Sequence, residues 1–469
     1  MEITTNLITN YDFEDIIKLF VPVNFNECDL KVVHNLLENE KSIENTYEIY
    51  KDGEKFSFVK STPKPSMLQP KNLAKVGLYE ILSKIYNKKL PYGALTGIRP
   101  LKLCYDLMEK GLKKYELKSF LIKNYMVSEE KADLIIETLL NQKGLDLNDK
   151  LVNFYVNIPF CPSKCDYCSF ISMERGKAGD ELIEKYLDKL ILEINETKKM
   201  LLNNGFIVKS VYIGGGTPTT LNENQLERLL QNLCFDVKEF TLEAGRPDTI
   251  TKEKLDVLKK YKVSRISINP QTLNDKVLAK IGRKHSAKDV LEVYKLAKNY
   301  NFDINMDLIM GLPTDTLKSF KATLDAIIYL EPENITVHTL SLKRASNFKN
   351  NNENIFKNES IVDKMGVYAY KELKANGYNP YYLYRQKNMI NALENLGYTK
   401  EGKQCYFNIE TMDDLSSVVA CGANAISKRV YSLTNRIERF ANVKDICEYV
   451  NRTEEMIEKK KNLFNSKLF

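Results

Sequence analysis

The stretch LVNFYVNIPFCPSKCDYCSF, residues 151–170, carries two signals in direct succession. Its first half, Leu151 to Phe160, is rich in β-branched and aromatic residues and reads as a strand. Its second half places Cys161, Cys165 and Cys168 at C-x3-C-x2-C spacing. Three thiolates on one short loop can hold three irons of a cubane cluster and leave the fourth iron open to a small ligand. Structural zinc is the competing metal, but it wants a fourth nearby ligand, and His34, His285 and His338 are all remote in sequence. Unligated thiols are the remaining alternative. The spacing favours the cluster.

Downstream, the strand signal recurs at Ser210 to Gly216, Glu239 to Gly245, Arg265 to Pro270, Phe302 to Gly311 and Asn334 to Leu342. Between these lie helical patterns such as ELIEKYLDKLILEI and DVLEVYKLAKNY, with apolar residues at i, i+3, i+4 and i+7. Repeated βα units predict a parallel sheet. Six units are too few to close an eight-stranded barrel, so the expected fold is α/β, an open partial (β/α)6 barrel over residues 150–345. Parallel barrels keep their active sites at the carboxyl ends of the strands. The unusual residues fall there: the cysteines, GGGTPT (Gly214 to Thr219), Glu243 to Arg246, Asn269 to Gln271, and Asp307 to Pro313. The glycines permit close backbone approach to a polar ligand, although on their own they fit a tight turn equally well.

Residues 1–149 predict a separate α/β accessory domain, with a helix-like VGLYEILSKIY and a loop-like PYGALTGIRP. After the barrel, KRASNFKNNNENIFKNES reads as a mobile linker or flap. Residues 346–469 then predict a mostly helical C-terminal region that includes VVACGANAISKR.

Composition narrows the class. A chain of 469 residues that is 43% hydrophobic can bury a substantial core. Nine cysteines are too sparse for a disulfide scaffold of this length, which points to a reducing compartment. No basic-apolar leader opens the sequence and no long apolar run follows, so a cytoplasmic protein without a membrane span is expected. The formal charge of +7 is modest, and no aromatic RNA-binding motif accompanies it, so nucleic acid is not an expected partner.

YVNIPFCPSKCDYCSF, YIGGGTPTTL, TLEAGRPDTI, RISINPQTLNDKVLAKIGRKH and INMDLIMGLPTD, in that order, resemble the radical S-adenosylmethionine (radical SAM) superfamily, within the group of oxygen-independent coproporphyrinogen III oxidase. The flanking LPYGALTGIRPLKL and NPYYLYRQKNMINALENLGYTKEGKQCYFNI resemble its HemZ-type branch, an anaerobe-associated set described as coproporphyrinogen dehydrogenases. The resemblance implies a [4Fe–4S] cluster on Cys161, Cys165 and Cys168, with S-adenosylmethionine on the open iron. It implies Tyr155 among the ligand contacts, Tyr167 beside the adenine, and Gly215, Gly216 and Thr217 at the methionyl amino group, with Glu243 as a further polar partner. Gln271 and Asp307 are implied at the ribose hydroxyls and Arg283 at the methionine carboxylate. Without the resemblance, Glu243 and Asp307 read as solvated strand ends and Arg283 as a surface charge beside Lys284.

The implied activity is that of an oxidoreductase of haem and porphyrin biosynthesis. A 5′-deoxyadenosyl radical takes hydrogen from a propionate of coproporphyrinogen III, and loss of carbon dioxide and an electron leaves a vinyl group, giving protoporphyrinogen IX. No catalytic side chain is implied beyond the cluster and nucleoside site, and the implied partners are a tetrapyrrole and a reductant such as flavodoxin or ferredoxin. Arg385, with Lys387 nearby, and Arg99 are candidate cations for the substrate carboxylates, or else structural residues. Two positions depart from the oxidase pattern: Asn157 stands for a histidine, and Phe170 for a fourth cysteine. The alternatives are a haem or tetrapyrrole-binding chaperone with a cluster, and a radical enzyme acting on another tetrapyrrole.

Overall fold

In the computed structural model, all residues are described except 8, 22–27, 98, 169, 171, 342–358, 387–392, 435 and 466–469. The expected linker or flap therefore lies almost wholly outside the described residues, as does Lys387. The chain divides into two compact units: Met1–Glu137 with Arg385–Asn388, and Thr138–Tyr384 with Met389–Phe469.

The first unit is α/β, as its sequence predicts. Strands β1 (Glu2–Thr5), β2 (Leu30–Glu38), β3 (Ser42–Lys51) and β4 (Glu54–Pro63) form one sheet in that order, with β1 parallel to β2 and the rest antiparallel. Helix α1 (Tyr11–Phe20) buries Phe13, Ile16, Ile17 and Phe20 along one stripe, the spacing of an amphipathic helix. Helix α2 (Pro70–Ile85) starts with proline at its first turn, where the missing N–H has no helical partner to lose. Tyr47 of β3 donates its hydroxyl to the Ala74 carbonyl of α2 at 2.8 Å, tying sheet to helix. Helices α3 (Pro100–Glu109), α4 (Lys114–Tyr125) and α5 (Glu129–Asn141) follow, and the last turn of α5 passes into the second unit.

The second unit is built on the six expected strands: β5 (Leu151–Ile158), β8 (Ile207–Gly215), β9 (Glu239–Glu243), β10 (Arg265–Ser267), β11 (Asp303–Met310) and β12 (Asn334–Thr339). The short strands β6 (Phe160–Cys161) and β7 (Met173–Glu174) pair with each other inside the cysteine loop. The six lie side by side in chain order and all are parallel. Helices connect them: α6 (Arg175–Asn203), α7 (Glu223–Gln231), α8 (Lys252–Lys260), α9 (Asp275–Lys280) with α10 (Ala287–Lys298), and α11 (Leu317–Leu330). Strand order within the sheet is linear, so it forms an open arc. Alternate residues on one face are polar and bonded together: Ser210 donates to Asn153 at 2.6 Å, Tyr212 to Glu243 at 2.7 Å, and Thr336 to Asn305 at 3.1 Å. The period-2 alternation of strands thus turns a polar lining to one side and Val, Ile and Leu to the helices.

The C-terminal region supplies helices α12 (Glu359–Ala375), α13 (Tyr406–Met412) and α14 (Ile446–Asn465), together with five strands that the sequence does not announce. Strands β13 (Asn379–Tyr384) and β14 (Asn395–Thr399) extend the sheet beyond β12, while β15 (Ser417–Cys421), β16 (Ile426–Tyr431) and β17 (Arg436–Ala441) extend it beyond β5. VVACGANAISKR is therefore a strand, a turn at Gly422 (φ 106°) and another strand rather than part of a helical stretch. All five residues of β15 are buried, and a strand covered on both faces shows no alternation by which to recognise it.

Gly397 of β14 is required by packing. A Cβ there would lie 1.9 Å from Cε1 of Tyr382, whose hydroxyl is held 3.1 Å from Thr336 Oγ1. Gly397→Ala is expected to destabilise the protein by about 1–3 kcal/mol, the usual cost of overpacking a filled core, read as a lower thermal midpoint.

Helix α14 is pinned to α6 by a buried charge. Glu193 (0% exposed) and Lys460 (1%) lie 2.7 Å apart. Glu193 also accepts from Tyr449 Oη at 2.6 Å, Gly422 N at 2.7 Å and Asn442 Nδ2 at 2.8 Å, so both its oxygens are satisfied.

Candidate active site

The chain leaves β5 at Ile158 and forms the cysteine loop at its carboxyl end. Backbone bonds fix that loop: Met173 N to Pro159 O at 2.8 Å, Cys168 N to Cys165 O at 3.0 Å, and Asp166 N to Ile281 O at 3.2 Å. All three cysteines are free thiols; Cys165 is buried, and Cys161 and Cys168 are half-buried. Burial pushes the Cys168 thiol up to about 11 and raises that of Cys161. Among the described residues, no three His, Cys, Asp or Glu side chains converge as the ligands of a single metal ion do. A cluster ligated iron by iron needs its sulfurs spread apart instead.

The neighbouring strand end brings GGGTPT against this loop. Thr217 Oγ1 lies 3.6 Å from Cys161 Sγ, and a Cβ on Gly216 would stand 2.5 Å from Phe160 O and 3.0 Å from Cys161 Sγ. Gly215 has φ 106°, a conformation that side chains rarely adopt, and a Cβ there would lie 2.1 Å from Asn157 Oδ1. The amides of Gly216 and Thr217 are spent on the carbonyls of Ile158 and Phe160 at 2.8 and 2.7 Å. The tight turn that the sequence allowed is present, and its glycines lie directly against the cysteine loop.

Glu243 and Asp307 stand at the next strand ends and are not free solvated carboxylates. Glu243 accepts from Tyr212 at 2.7 Å; burial pushes its carboxyl up to about 7, against the pull of the Tyr212 bond and with nearby Asp307 adding to the rise. Burial also acts to raise Asp307, but bonds from His338 and Asn305 outweigh it and hold that carboxyl below its ordinary range. Asn305 Nδ2 donates to Asp307 Oδ1 at 2.7 Å, and His338 Nε2 lies 3.5 Å from Oδ2. Tyr384 Oη lies 3.5 Å from the other ring nitrogen of His338. Gln271 has φ 64°, unusual for a side chain of its kind, and its Oε1 is buried without a partner, as is Asn269 Oδ1.

Arg283 is buried, which removes its reading as a surface charge. Its Nη1 donates to the carbonyls of Asn269 (2.7 Å) and Gly245 (3.2 Å), and Nη2 to the Tyr167 hydroxyl (2.8 Å). Tyr155 of β5 is stacked with Tyr212 and Phe407. Every residue named in this ring belongs to the second unit.

A curated relative from Bacillus subtilis, an oxygen-independent coproporphyrinogen-III oxidase-like protein (HemZ), is 37% identical over 420 residues, covering 87% of this chain and 83% of its own. The chain belongs to the radical SAM superfamily, in its coproporphyrinogen oxidase-like group. The radical SAM family model matches residues 155–327, from β5 through most of α11. The haem chaperone HemW of B. subtilis is 35% identical over 202 residues, 42% of this chain and 52% of its own. In fold, the chain resembles the coproporphyrinogen III oxidase HemN of Escherichia coli, with a TM-score of 0.52 and 22% identity over 68% of this chain and 74% of that one.

Radical SAM proteins of this group use a [4Fe–4S] cluster and S-adenosylmethionine. The donor set here fits both: three free thiols on one braced loop, and two orphaned buried amide oxygens, of Asn269 and Gln271, at the adjoining strand ends. The two departures have structural settings as well. Phe170, at the position of the oxidases' fourth cysteine, is 66% exposed. Asn157 is buried, donating to Ala423 O at 2.7 Å and accepting from Tyr155 Oη at 3.1 Å. Arg385 belongs by its contacts to the first unit, where its guanidinium lies 4.2 Å above the Tyr92 ring and donates to Leu95 O; Arg99 precedes α3 in the same unit. Sequence reasoning left out Asn305, His338 and Tyr384, whose grouping around Asp307 joins three strands distant in the chain. The alternation of polar residues along β11 and β12 was the available signal. Among the described residues, no helix is long and apolar enough to cross a membrane.

Glu243 gives the site a pH signature. Its carboxyl titrates at about 7 in the fold against 4.5 ordinarily, so between those values the folded state binds more protons and stability falls as pH rises. Glu243→Gln in the ligand-free protein is expected to flatten that slope and to raise stability at pH 8 by roughly 1–3 kcal/mol. Denaturant unfolding at pH 5 and pH 8 measures it.

Proposed function

We propose that this chain is an oxidoreductase that converts propionates of coproporphyrinogen III to vinyl groups, using a cluster on Cys161, Cys165 and Cys168 with S-adenosylmethionine beside it. When bound, the pair supplies a 5′-deoxyadenosyl radical by one-electron reductive cleavage of the sulfonium, and the protein's share is position and exclusion of water. Glu243 and the carbonyl side of the Gly215–Thr217 turn receive the methionyl amino group, which needs acceptors, so the spent amides of that turn are no obstacle. Glu243 is suited to the task because a carboxylate that burial disfavours gains most from an arriving cation. Gln271 and Asp307 take the ribose hydroxyls, with the orphaned Gln271 Oε1 as one acceptor. Tyr167 flanks the adenine on the loop, and Tyr155 packs beneath it. Arg283 reaches the methionine carboxylate while its other donors keep Tyr167 in place. Arg385 and Arg99 are proposed as cations for the tetrapyrrole carboxylates.

The observation that carries the choice of substrate is the 37% identity to the oxidase-like relative, which extends over 87% of this chain and so beyond the barrel. A flavodoxin- or ferredoxin-type reductant and a cytoplasmic setting belong to the same reading. Anaerobic reconstitution followed by reduction with S-adenosylmethionine and coproporphyrinogen III tests it: 5′-deoxyadenosine together with vinyl products is expected. Deoxyadenosine without vinyl product would point to another tetrapyrrole substrate.

A second reading, a haem-carrying chaperone, is favoured by the 35% identity to HemW and by Phe170 where a fourth cysteine would stand. It requires stoichiometric haem binding with no consumption of S-adenosylmethionine.

A further inference from the structure

We propose that Arg246 is a positioning residue that holds the Cys165 sulfur from the protein side and sets the cluster's reduction potential; this rests on Cys165 being a cluster ligand. Arg246 follows β9 in TLEAGRPDTI and is only 3% exposed. Two prongs of its guanidinium grip Asp248, Nε to Oδ1 at 2.9 Å and Nη2 to Oδ2 at 2.8 Å. This fork fixes the plane of the group and aims the remaining nitrogen. Nη1 lies 3.1 Å from Ser163 Oγ, 3.4 Å from Ser163 O and 3.6 Å from Cys165 Sγ, all within the cysteine loop.

The fork is itself braced. Thr249 N and Oγ1 return to Arg246 O at 2.9 and 2.7 Å, and Thr249 Oγ1 lies 2.6 Å from Thr219 Oγ1 in the glycine turn. Lys254 Nζ closes the arrangement on the carbonyls of Thr219 (2.8 Å) and Thr249 (3.1 Å). A guanidinium over a bare loop would need only Ser163; the approach to sulfur has a chemical consequence. An N–H aimed at a ligating thiolate, carrying a full positive charge, favours the more negative, reduced form of the cluster and so raises its potential. Cysteine ligation, reducibility and the GGGTPT turn are thereby joined through one side chain.

The test uses the full-length chain, reconstituted anaerobically, with iron content and an EPR-monitored redox titration as readouts. Arg246→Gln is expected to hold as much iron as the wild type but to titrate at a more negative midpoint. Arg246→Lys, which keeps the charge and loses the fork, is expected between the two. Full iron content with an unchanged midpoint in Arg246→Gln would overturn the proposal. If Arg246→Gln fails to load, Arg246→Lys decides in its place: a midpoint equal to that of the wild type overturns the proposal. Loss of iron in both variants with the fold intact by circular dichroism also overturns it, in favour of a role in assembly alone. A wild-type chain that holds no cluster sinks the underlying site reading instead, so the two failures are separable.

Discussion

Cys165→Ala, reconstituted anaerobically, is expected to lose the visible absorbance of a cluster and to form no detectable 5′-deoxyadenosine. Two remaining thiolates on a short loop can fix only two irons, so the cubane has neither its third anchor nor a defined open corner. Cys165 is also the most buried of the three, and its Sγ lies 3.6 Å from Arg246 Nη1. The control is Cys234→Ala or Cys447→Ala: both thiols are exposed, and removal of either is expected to leave absorbance and turnover unchanged. Iron and sulfide analysis beside the spectrum distinguishes a lost cluster from a lost fold. Retained absorbance in Cys165→Ala would move the cluster away from this loop.

The largest expected effect on stability comes from the buried charge that joins α6 to α14. Glu193→Ala leaves the Lys460 ammonium, 1% exposed, without its counter-charge and strips Tyr449, Asn442 and Gly422 N of their acceptor. Removing one partner of a buried pair costs about 3–5 kcal/mol, because the remaining charge is stranded away from water. Unfolding is expected to become easier by that amount, with hydrogen exchange accelerating first in α14, which this charge fastens to α6. Pairing Glu193→Ala with Lys460→Met is expected to recover part of the loss. A fall of less than 1 kcal/mol in the single variant would show that Lys460 finds water or another anion.

The six parallel strands and their order were legible because β-branched and aromatic runs alternate with amphipathic helices along the chain. That order, with the rule that parallel barrels work at their carboxyl ends, was enough to gather Cys161, Gly216, Glu243, Gln271 and Asp307 on one rim. β15 was not legible: SVVAC is covered on both faces, and its pairing with β5 links Val152 to Ser417 across most of the chain. The state of each rim residue was hidden for a similar reason. Arg283 reads as one charge in a basic run, yet its surroundings are two carbonyls and Tyr167, contributed by other elements. His338 looks remote from every other candidate until β12 lies beside β11 and brings it 3.5 Å from Asp307. Arg246 and Asp248 are two residues apart, so their contact could be guessed; that it aims the third nitrogen at Cys165 could not.

The central claim is that this rim delivers a nucleoside radical to a tetrapyrrole propionate. Reducing the reconstituted chain with S-adenosylmethionine and coproporphyrinogen III deuterated on its propionate side chains, and measuring isotope in the recovered 5′-deoxyadenosine, addresses it most directly. Deuterium in the nucleoside together with vinyl product is the expected result. Unlabelled nucleoside, or bound haem with S-adenosylmethionine left intact, would contradict it.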